Sequence, residues 1–206
     1  MIEVDNILDI KNYIKDVEVV IFDLDDTLYN EVDYVKSGYK KISDLFPSIK
    51  NMYEQLWNVF LNGGKAIDVV LNDNNLIKYK DKCIDIYRNQ IPNIKIDKKV
   101  LNLLNEIKPK KLGMITDGRP EGQKAKIKAL NIEELFDYII ITDELGGIEY
   151  RKPNEKAFVL MKEFFNCDYN KMVYIGDNIK KDFIAPNKLG MKSIHFKNVN
   201  GLYYNK

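Results

Sequence analysis

A chain of 206 residues with 45% hydrophobic side chains has apolar mass enough for one α/β domain with a sizeable insertion, or for two small domains, and too much for pervasive disorder. Its 32 Lys and Arg nearly cancel its 31 Asp and Glu, which leaves no global field to gather nucleic acid or an anionic membrane. No apolar run reaches the length of a membrane span, and the acidic opening Met1-Ile2-Glu3-Val4-Asp5 lacks the basic-then-apolar order of a signal peptide, so the expected location is the cytoplasm.

Residues 5–15 read as a short amphipathic helix with Ile7, Leu8, Ile10 and Ile14 on its inner side. A strand follows at 17–22, and the run Val19-Val20-Ile21-Phe22 stops abruptly in Asp23-Leu24-Asp25-Asp26-Thr27. A run that is apolar at every position is the pattern of a strand buried on both faces, so the acids emerge at its C-terminal end, where open α/β sheets bind ligands. Acids one residue apart face opposite ways within a strand, but just past its end the chain can turn both toward one point. Clustered carboxylates repel, and the cation suited to hold them is a hard, oxygen-seeking one such as Mg²⁺. Asp26 reads as a local turn or helix-start residue, and Thr27 as a hydroxyl bonded within the turn.

Residues 30–95 contain no strand pattern. Apolar positions recur at helical spacing in Val32, Val35, Tyr39, Ile42 and Phe46, then in Met52, Leu56, Val59 and Phe60, and again in Leu76, Tyr79, Cys83 and Tyr87. Breakers at Pro47, Gly63-Gly64 and Asn72-Asp73-Asn74 divide them, which predicts a small helical bundle inserted after the acidic segment and serving as a lid. From there strands at 112–115, 137–141, 172–175 and 192–196 alternate with helices, the rhythm of a parallel sheet. Asp97 is the expected N-cap of a helix over 97–107, Pro120 opens the next, and Asn131 closes it in the left-handed conformation. A helix over 154–165 carries Ala157, Phe158, Met161, Phe164 and Phe165 as core, and Gly190 ends the last helix, with Pro186 tolerated near its first turn.

Three later segments join the first acidic one at strand ends or helix starts. Ile115-Thr116-Asp117-Gly118 offers a hydroxyl and backbone N–H groups to oxyanions, Arg151-Lys152-Pro153-Asn154 offers a cation, and Ile175-Gly176-Asp177-Asn178 ends in an acid followed by Asp182. Arg151 reads as a surface charge, and Arg119 as a solvent-facing charge with contact to substrate as its alternative. Cys83 and Cys167 lack a neighbouring zinc pattern and read as reduced buried thiols, while the single histidine, His195, reads as structural.

These four segments, in this order and with an insertion after the first, resemble the haloacid dehalogenase superfamily, in its phosphatase branch with a helical cap. The resemblance covers essentially the whole chain. It implies an α/β fold with a Rossmann-like three-layer core, residues 1–29 and 96–206, whose central parallel sheet has the order 5-4-1-2-3, and an all-helical cap over 30–95. It further implies that Asp23 is the nucleophile and Asp25 the general acid/base, and that Leu24, Thr116, Asp117 and Lys152 contact phosphate. By the same likeness Asp23, Asp177 and the Asp25 carbonyl ligate Mg²⁺, with Asp182 supporting them through water or from behind. Asp117 stands where many relatives have Asn, which is tolerable if its backbone N–H is what matters. The expected reaction is hydrolysis of a small phosphorylated metabolite through an aspartyl-phosphate, for which Asp25 needs a pKa raised by its acidic surroundings.

Rival readings remain in view. A phosphomutase shares both acids. A dehalogenase keeps Asp23 but has no use for an acid at Asp25, because halide leaves unprotonated. A phospho-accepting signalling module arranges its acids in another order and has no helical insertion, and an inactive scaffold is expected to have lost one of these groups.

Overall fold

The computed structural model describes residues 1–202 and 204. The chain divides into two compact units, Met1–Glu31 together with Lys95–Lys206, and Val32–Ile94. Among the described residues the first unit holds one sheet of six parallel strands: β1 (Ile2–Val4), β2 (Val19–Phe22), β3 (Lys111–Thr116), β4 (Tyr138–Ile141), β5 (Met172–Gly176) and β6 (Lys192–Phe196), in spatial order β1-β6-β5-β2-β3-β4. The five strands legible in the sequence thus stand in the expected order 5-4-1-2-3. The sixth, β1, is a three-residue edge strand paired parallel to β6 through Ile2, Glu3 and Val4. It was not anticipated because so short a segment shows no periodicity. The segment read as a helix over 5–15 is a 3-10 helix, Ile7–Asn12, started by Asn6, whose side chain accepts from the Leu8 N–H.

β2 lies in the middle of the sheet, hydrogen-bonded to β3 on one side and β5 on the other, and its four residues are all buried. Alternation along the strand sends Val19 and Ile21 into a core cluster with Ala157, Phe158, Met161 and Phe165 of α7 (Lys156–Phe165), which leaves Val20 and Phe22 for the opposite face. Phe164 is a correction: it is 53% exposed and stacks on Tyr138 with ring centroids 4.2 Å apart, because the stripe around α7 is narrower than the run of apolar residues at its end. The other helices of this unit are α5 (Lys98–Ile107), α6 (Pro120–Leu130) and α8 (Ile184–Leu189). Asp97 caps α5 by accepting from the Lys99 N–H, Asn131 closes α6 with φ 53°, and Gly190 closes α8 with φ 80°.

In the second unit run α1 (Glu31–Asp44, whose first residue belongs to the first unit), α2 (Met52–Leu61), α3 (Ala66–Asp73) and α4 (Lys80–Arg88). Tyr34, Val35, Tyr39, Ile42, Leu56, Val70, Leu71 and Cys83 are buried there. The ring of Tyr87 packs edge-on to Tyr34 and beside Tyr39. No helix among the described residues is long and apolar enough to cross a membrane.

The ring of Phe158 is fully buried and packs edge-on to Tyr174 at 5.1 Å between centroids. Truncation to Ala removes that contact from a closed cluster, and Phe158→Ala is expected to lose about 3–5 kcal/mol of stability, measured as a lowered urea midpoint at unchanged m-value.

Candidate active site

The site forms where β2 ends. The Asp23 N–H donates to the Ile175 carbonyl at 2.8 Å and so prolongs the ladder by one residue, which keeps Asp23 buried at the sheet's C-terminal edge. The chain then turns: the Leu28 N–H returns to the Leu24 carbonyl at 3.0 Å, Asp26 takes a left-handed φ of 54°, and Leu24 is fully buried. Asp26 starts the next helix as expected, its Oδ1 accepting from the Glu31 N–H at 2.7 Å, but it is more than local, since Oδ2 accepts from the distant Leu202 N–H at 2.7 Å and the residue lines the cavity of the site.

Lys152, 4% exposed, reaches the first acid. Its ammonium donates to Asp23 Oδ1 at 2.7 Å and to the Tyr174 hydroxyl at 2.8 Å, and lies 2.8 Å from Asp182 Oδ1. Burial alone would lower its pKa, but Asp182 and Asp23 outweigh burial and hold it well above the ordinary lysine value. The carboxylates of Asp23, Asp177 and Asp182 offer oxygens that all lie within 4.8 Å of one another. With these side chains alone, burial raises Asp23 to about 7, against the pull of Lys152, and burial together with Asp23 and Asp182 raises Asp177 to about 9. One ammonium does not balance three acids. Asp182 Oδ2 is bound by the Asn178 N–H at 2.9 Å, and its Oδ1, beside the ammonium, accepts no well-aligned hydrogen bond among the described residues. A Cβ at Gly176 would lie 2.5 Å from Asp182 Oδ2, so glycine is what lets this carboxylate approach the strand end.

Asp25 takes a different direction. Its Oδ1 accepts from the Tyr29 hydroxyl at 2.5 Å, its Oδ2 from the Gln123 amide at 3.0 Å, and the Lys126 ammonium contacts both oxygens at 2.8 and 2.9 Å. Burial pushes the Asp25 pKa up, but Lys126 and the donors from Tyr29 and Gln123 prevail and lower it below the ordinary value. The raised pKa expected from acidic crowding is therefore corrected, because a buried lysine stands among the acids. Thr116 is fully buried, and its hydroxyl oxygen accepts from the same Gln123 amide.

Two more expectations change. Asp117 contributes its side chain and not only its backbone: Oδ1 accepts from the Thr142 hydroxyl at 3.0 Å and from the Lys152 N–H at 3.1 Å, while Oδ2 pairs with Lys181 at 2.7 Å. The Thr27 hydroxyl leaves its own turn and points to Asp177 Oδ1 at 3.5 Å. Arg151 is more than a surface charge, since it forks onto both oxygens of Asp143 at 2.7 Å; Arg119 is exposed as expected. His195 is structural, with Nε2 2.9 Å from the Asp177 carbonyl oxygen.

All of this surrounds a cavity of about 400 Å³ whose lining belongs to the first unit. Gly118 apart, every lining residue carries a charge or an amide. Asp23, Asp25, Asp117, Lys152 and Asp177 line it, whereas Leu24, Thr116 and Asp182 are not among its lining residues. Sequence reasoning missed Gln123, Lys126, Lys181 and Glu31. The signal for the first two was present: Gln123 and Lys126 share the face of α6 with buried Ile127, and polar residues among core positions need buried partners.

A family profile described as haloacid dehalogenase-like hydrolase matches residues 20–196. The chain belongs to that family. Among curated relatives, the glyceraldehyde 3-phosphate phosphatase of Pyrococcus abyssi is 27% identical over 88% of this chain and 82% of its own length, and that of Methanocaldococcus jannaschii is 29% identical over 85% and 82%. A solved hydrolase of the same superfamily from Geobacter sulfurreducens superposes with a TM-score of 0.70 at 14% identity, over 89% of this chain and 88% of that one, which shows the shared fold. The family makes this chain an enzyme of the hydrolase type, and these relatives are named phosphatases, with which a phosphoric monoester hydrolase is consistent.

Replacing Lys152 strips the buried acids of their contact cation. Lys152→Met is expected to cost about 3–5 kcal/mol at neutral pH, as removal of one partner from a buried pair does, and equilibrium urea unfolding measures it.

Proposed function

We propose that the chain is an Mg²⁺-dependent cytoplasmic phosphatase that hydrolyses a small, hydroxylated phosphate ester, of the kind exemplified by a three-carbon sugar phosphate, through an aspartyl-phosphate on Asp23. The observation that carries this reading is the division of labour between the two acids. Asp23 belongs to the carboxylate cluster and is bound by Lys152, whereas Asp25 is bound away from that cluster by Lys126, Gln123 and Tyr29. A hydrolase that transfers a phosphoryl group to one carboxylate and moves protons with another needs these two environments.

The donor set fits a hard divalent cation. Asp23, Asp177 and Asp182 present only oxygen, hold more negative charge than Lys152 cancels, and include a carboxylate oxygen without an aligned donor among the described residues. The cation would be held by Asp23 and Asp177, with the Asp25 carbonyl and the Asp182 carboxylate in support. Bound there, Mg²⁺ would supply charge neutralisation and polarise phosphoryl oxygens.

The protein's own groups account for the rest. A phosphate dianion brought within about 4 Å of Asp23 meets roughly 4 kcal/mol of repulsion per pair of unit charges at an effective dielectric near 20, and the Lys152 ammonium offsets one such pair. Thr116, Lys152 and the segment positions Leu24 and Asp117 orient the phosphoryl oxygens. An Asp23 oxygen attacks phosphorus, the ester P–O bond breaks, and the departing alkoxide takes a proton from Asp25. Water then attacks the aspartyl-phosphate, gives its proton to Asp25 and releases Asp23 with inorganic phosphate, so that Asp25 is recharged for the next cycle. A bound dianion raises the proton affinity of Asp25 against the pull of Lys126. The wholly polar cavity supports a hydroxylated leaving group over an apolar one, and the names of the relatives support a triose phosphate. Two free, buried cysteines accord with a reducing cytoplasm.

Purified protein is expected to release phosphate from glyceraldehyde 3-phosphate with Mg²⁺, to stop on chelation, and to resume on resupply. Asp23→Asn should fall to background while still folding; full activity in that variant would remove the nucleophile.

Metal binding has its own readout. At a hundredfold excess over Kd, Mg²⁺ should stabilise the wild type by about 2.7 kcal/mol, a rise of roughly 5–10 °C in melting temperature for a chain of this size, and Asp177→Asn should lose most of that rise.

A further inference from the structure

Gln123 and Lys126 stand one turn apart on α6, and both are almost wholly buried. Neither belongs to the core cluster around Phe158, although both share the face of α6 with buried Ile127 and Leu130. The Gln123 amide nitrogen and the Lys126 ammonium reach into the site. The Lys126 ammonium spans both Asp25 oxygens at 2.8 and 2.9 Å and lies 3.9 Å from Glu31 Oε1. The Gln123 amide nitrogen donates twice, to Asp25 Oδ2 at 3.0 Å and to the Thr116 hydroxyl oxygen. Room for that amide is made by Gly118: its φ of 142° suits glycine, and a Cβ there would come within 3.2 Å of the Gln123 side chain.

We propose that Gln123 and Lys126 are positioning residues for catalysis: together they keep the Asp25 carboxylate out of the metal cluster and aimed for proton transfer, and Gln123 also fixes the direction of the Thr116 hydroxyl. The first effect follows from valence. Each Asp25 oxygen is taken by two donors, Lys126 with Tyr29 on one side and Lys126 with Gln123 on the other, so the carboxylate is saturated where it stands. Released from them, a carboxylate two residues from Asp23 is free to turn to a cation. The second effect follows from hydrogen-bond polarity. A hydroxyl oxygen that accepts from an amide has its own hydrogen left to give, so Thr116 is set as a donor, the sense an anionic phosphoryl oxygen requires. One amide thus ties the proton-transfer group to the anion-holding group.

This inference rests on the roles given above to Asp25 and Thr116, and leaving-group dependence separates the two levels. Phosphoenzyme formation from p-nitrophenyl phosphate needs no proton on the departing oxygen, whereas an alkyl phosphate such as glycerol 3-phosphate does. Lys126→Met is expected to lower kcat for the alkyl ester at least about tenfold more than for the aryl ester, within the range that a general acid contributes. Lys126→Arg, which keeps two N–H donors on the carboxylate, should recover most of the difference. Gln123→Leu should show the same discrimination and also weaken competitive inhibition by inorganic phosphate about threefold or more, an effect that Lys126→Met lacks. If Lys126→Met fails to fold by circular dichroism, Tyr29→Phe, which deletes one oxygen bound to Asp25, carries the test with a smaller discrimination in the same direction. Asp25→Asn is the reference. Should it discriminate strongly between the esters while Lys126→Met, Gln123→Leu and Tyr29→Phe slow both equally, the positioning role is overturned and the role of Asp25 stands. Should Asp25→Asn itself fail to discriminate, the underlying reading falls, and this inference with it.

Discussion

The architecture of the site depends on one buried ammonium. Lys152 sits between Asp23 at the end of the central strand and Asp182 beyond the end of β5, with Tyr174 as its third oxygen contact. Removing an ammonium from water is costly, and it stays charged here because two carboxylates meet it at hydrogen-bonding distance. The dependence is mutual. Asp23 and Asp182 could not both stay close beside Asp177 without a positive neighbour, yet a single lysine leaves the three acids undercompensated, which is why the cluster suits an additional cation.

The rest of the first unit brings these groups together. Parallel pairing of β2 with β3 and β5 aligns the ends of the three strands, so that Asp23, Thr116 and Asp177 arrive at one edge from residues more than 150 positions apart. Asp117 then acts as a bracket. It holds the backbone of Lys152 through one oxygen and the ammonium of Lys181 through the other, linking the ends of β3 and β5 to the loop that carries the buried lysine. His195 adds a contact from the edge of β6 to the Asp177 carbonyl.

Two acids one residue apart acquire opposite surroundings because the chain turns between them. Asp23 remains in the ladder and faces Lys152 and the carboxylate cluster, whereas Asp25 lies within the turn that follows and faces α6. Their pKa directions diverge accordingly, Asp23 upward through burial and Asp25 downward through Lys126 and its hydrogen-bond donors, which prevail over burial. With the side chains alone these directions run opposite to the proposed roles, in which Asp23 is ionised and Asp25 protonated; a cation at Asp23 would lower the first and a phosphate dianion beside Asp25 would raise the second.

Much of this was legible in the sequence, and the boundary has a physical cause. Five strands, the helices between them and their caps at Asp97, Pro120, Asn131 and Gly190 are written in local patterns of periodicity and backbone preference, so they could be read without coordinates. β1 and the exposed face of Phe164 could not, since a three-residue strand is held by its partner and a helical stripe is trimmed by what packs on it. The acids at the strand ends were visible for the same local reason. Their partners were visible only in part: Lys152, 129 residues from Asp23, was expected beside it through the family likeness, whereas Lys126, 101 residues from Asp25, was not. Coulomb energy and burial depend on distance in space and not along the chain, so the sequence by itself determined which groups stand at the edge of the sheet, and only the tertiary structure decided that Asp25 meets Lys126 and Asp117 meets Lys181.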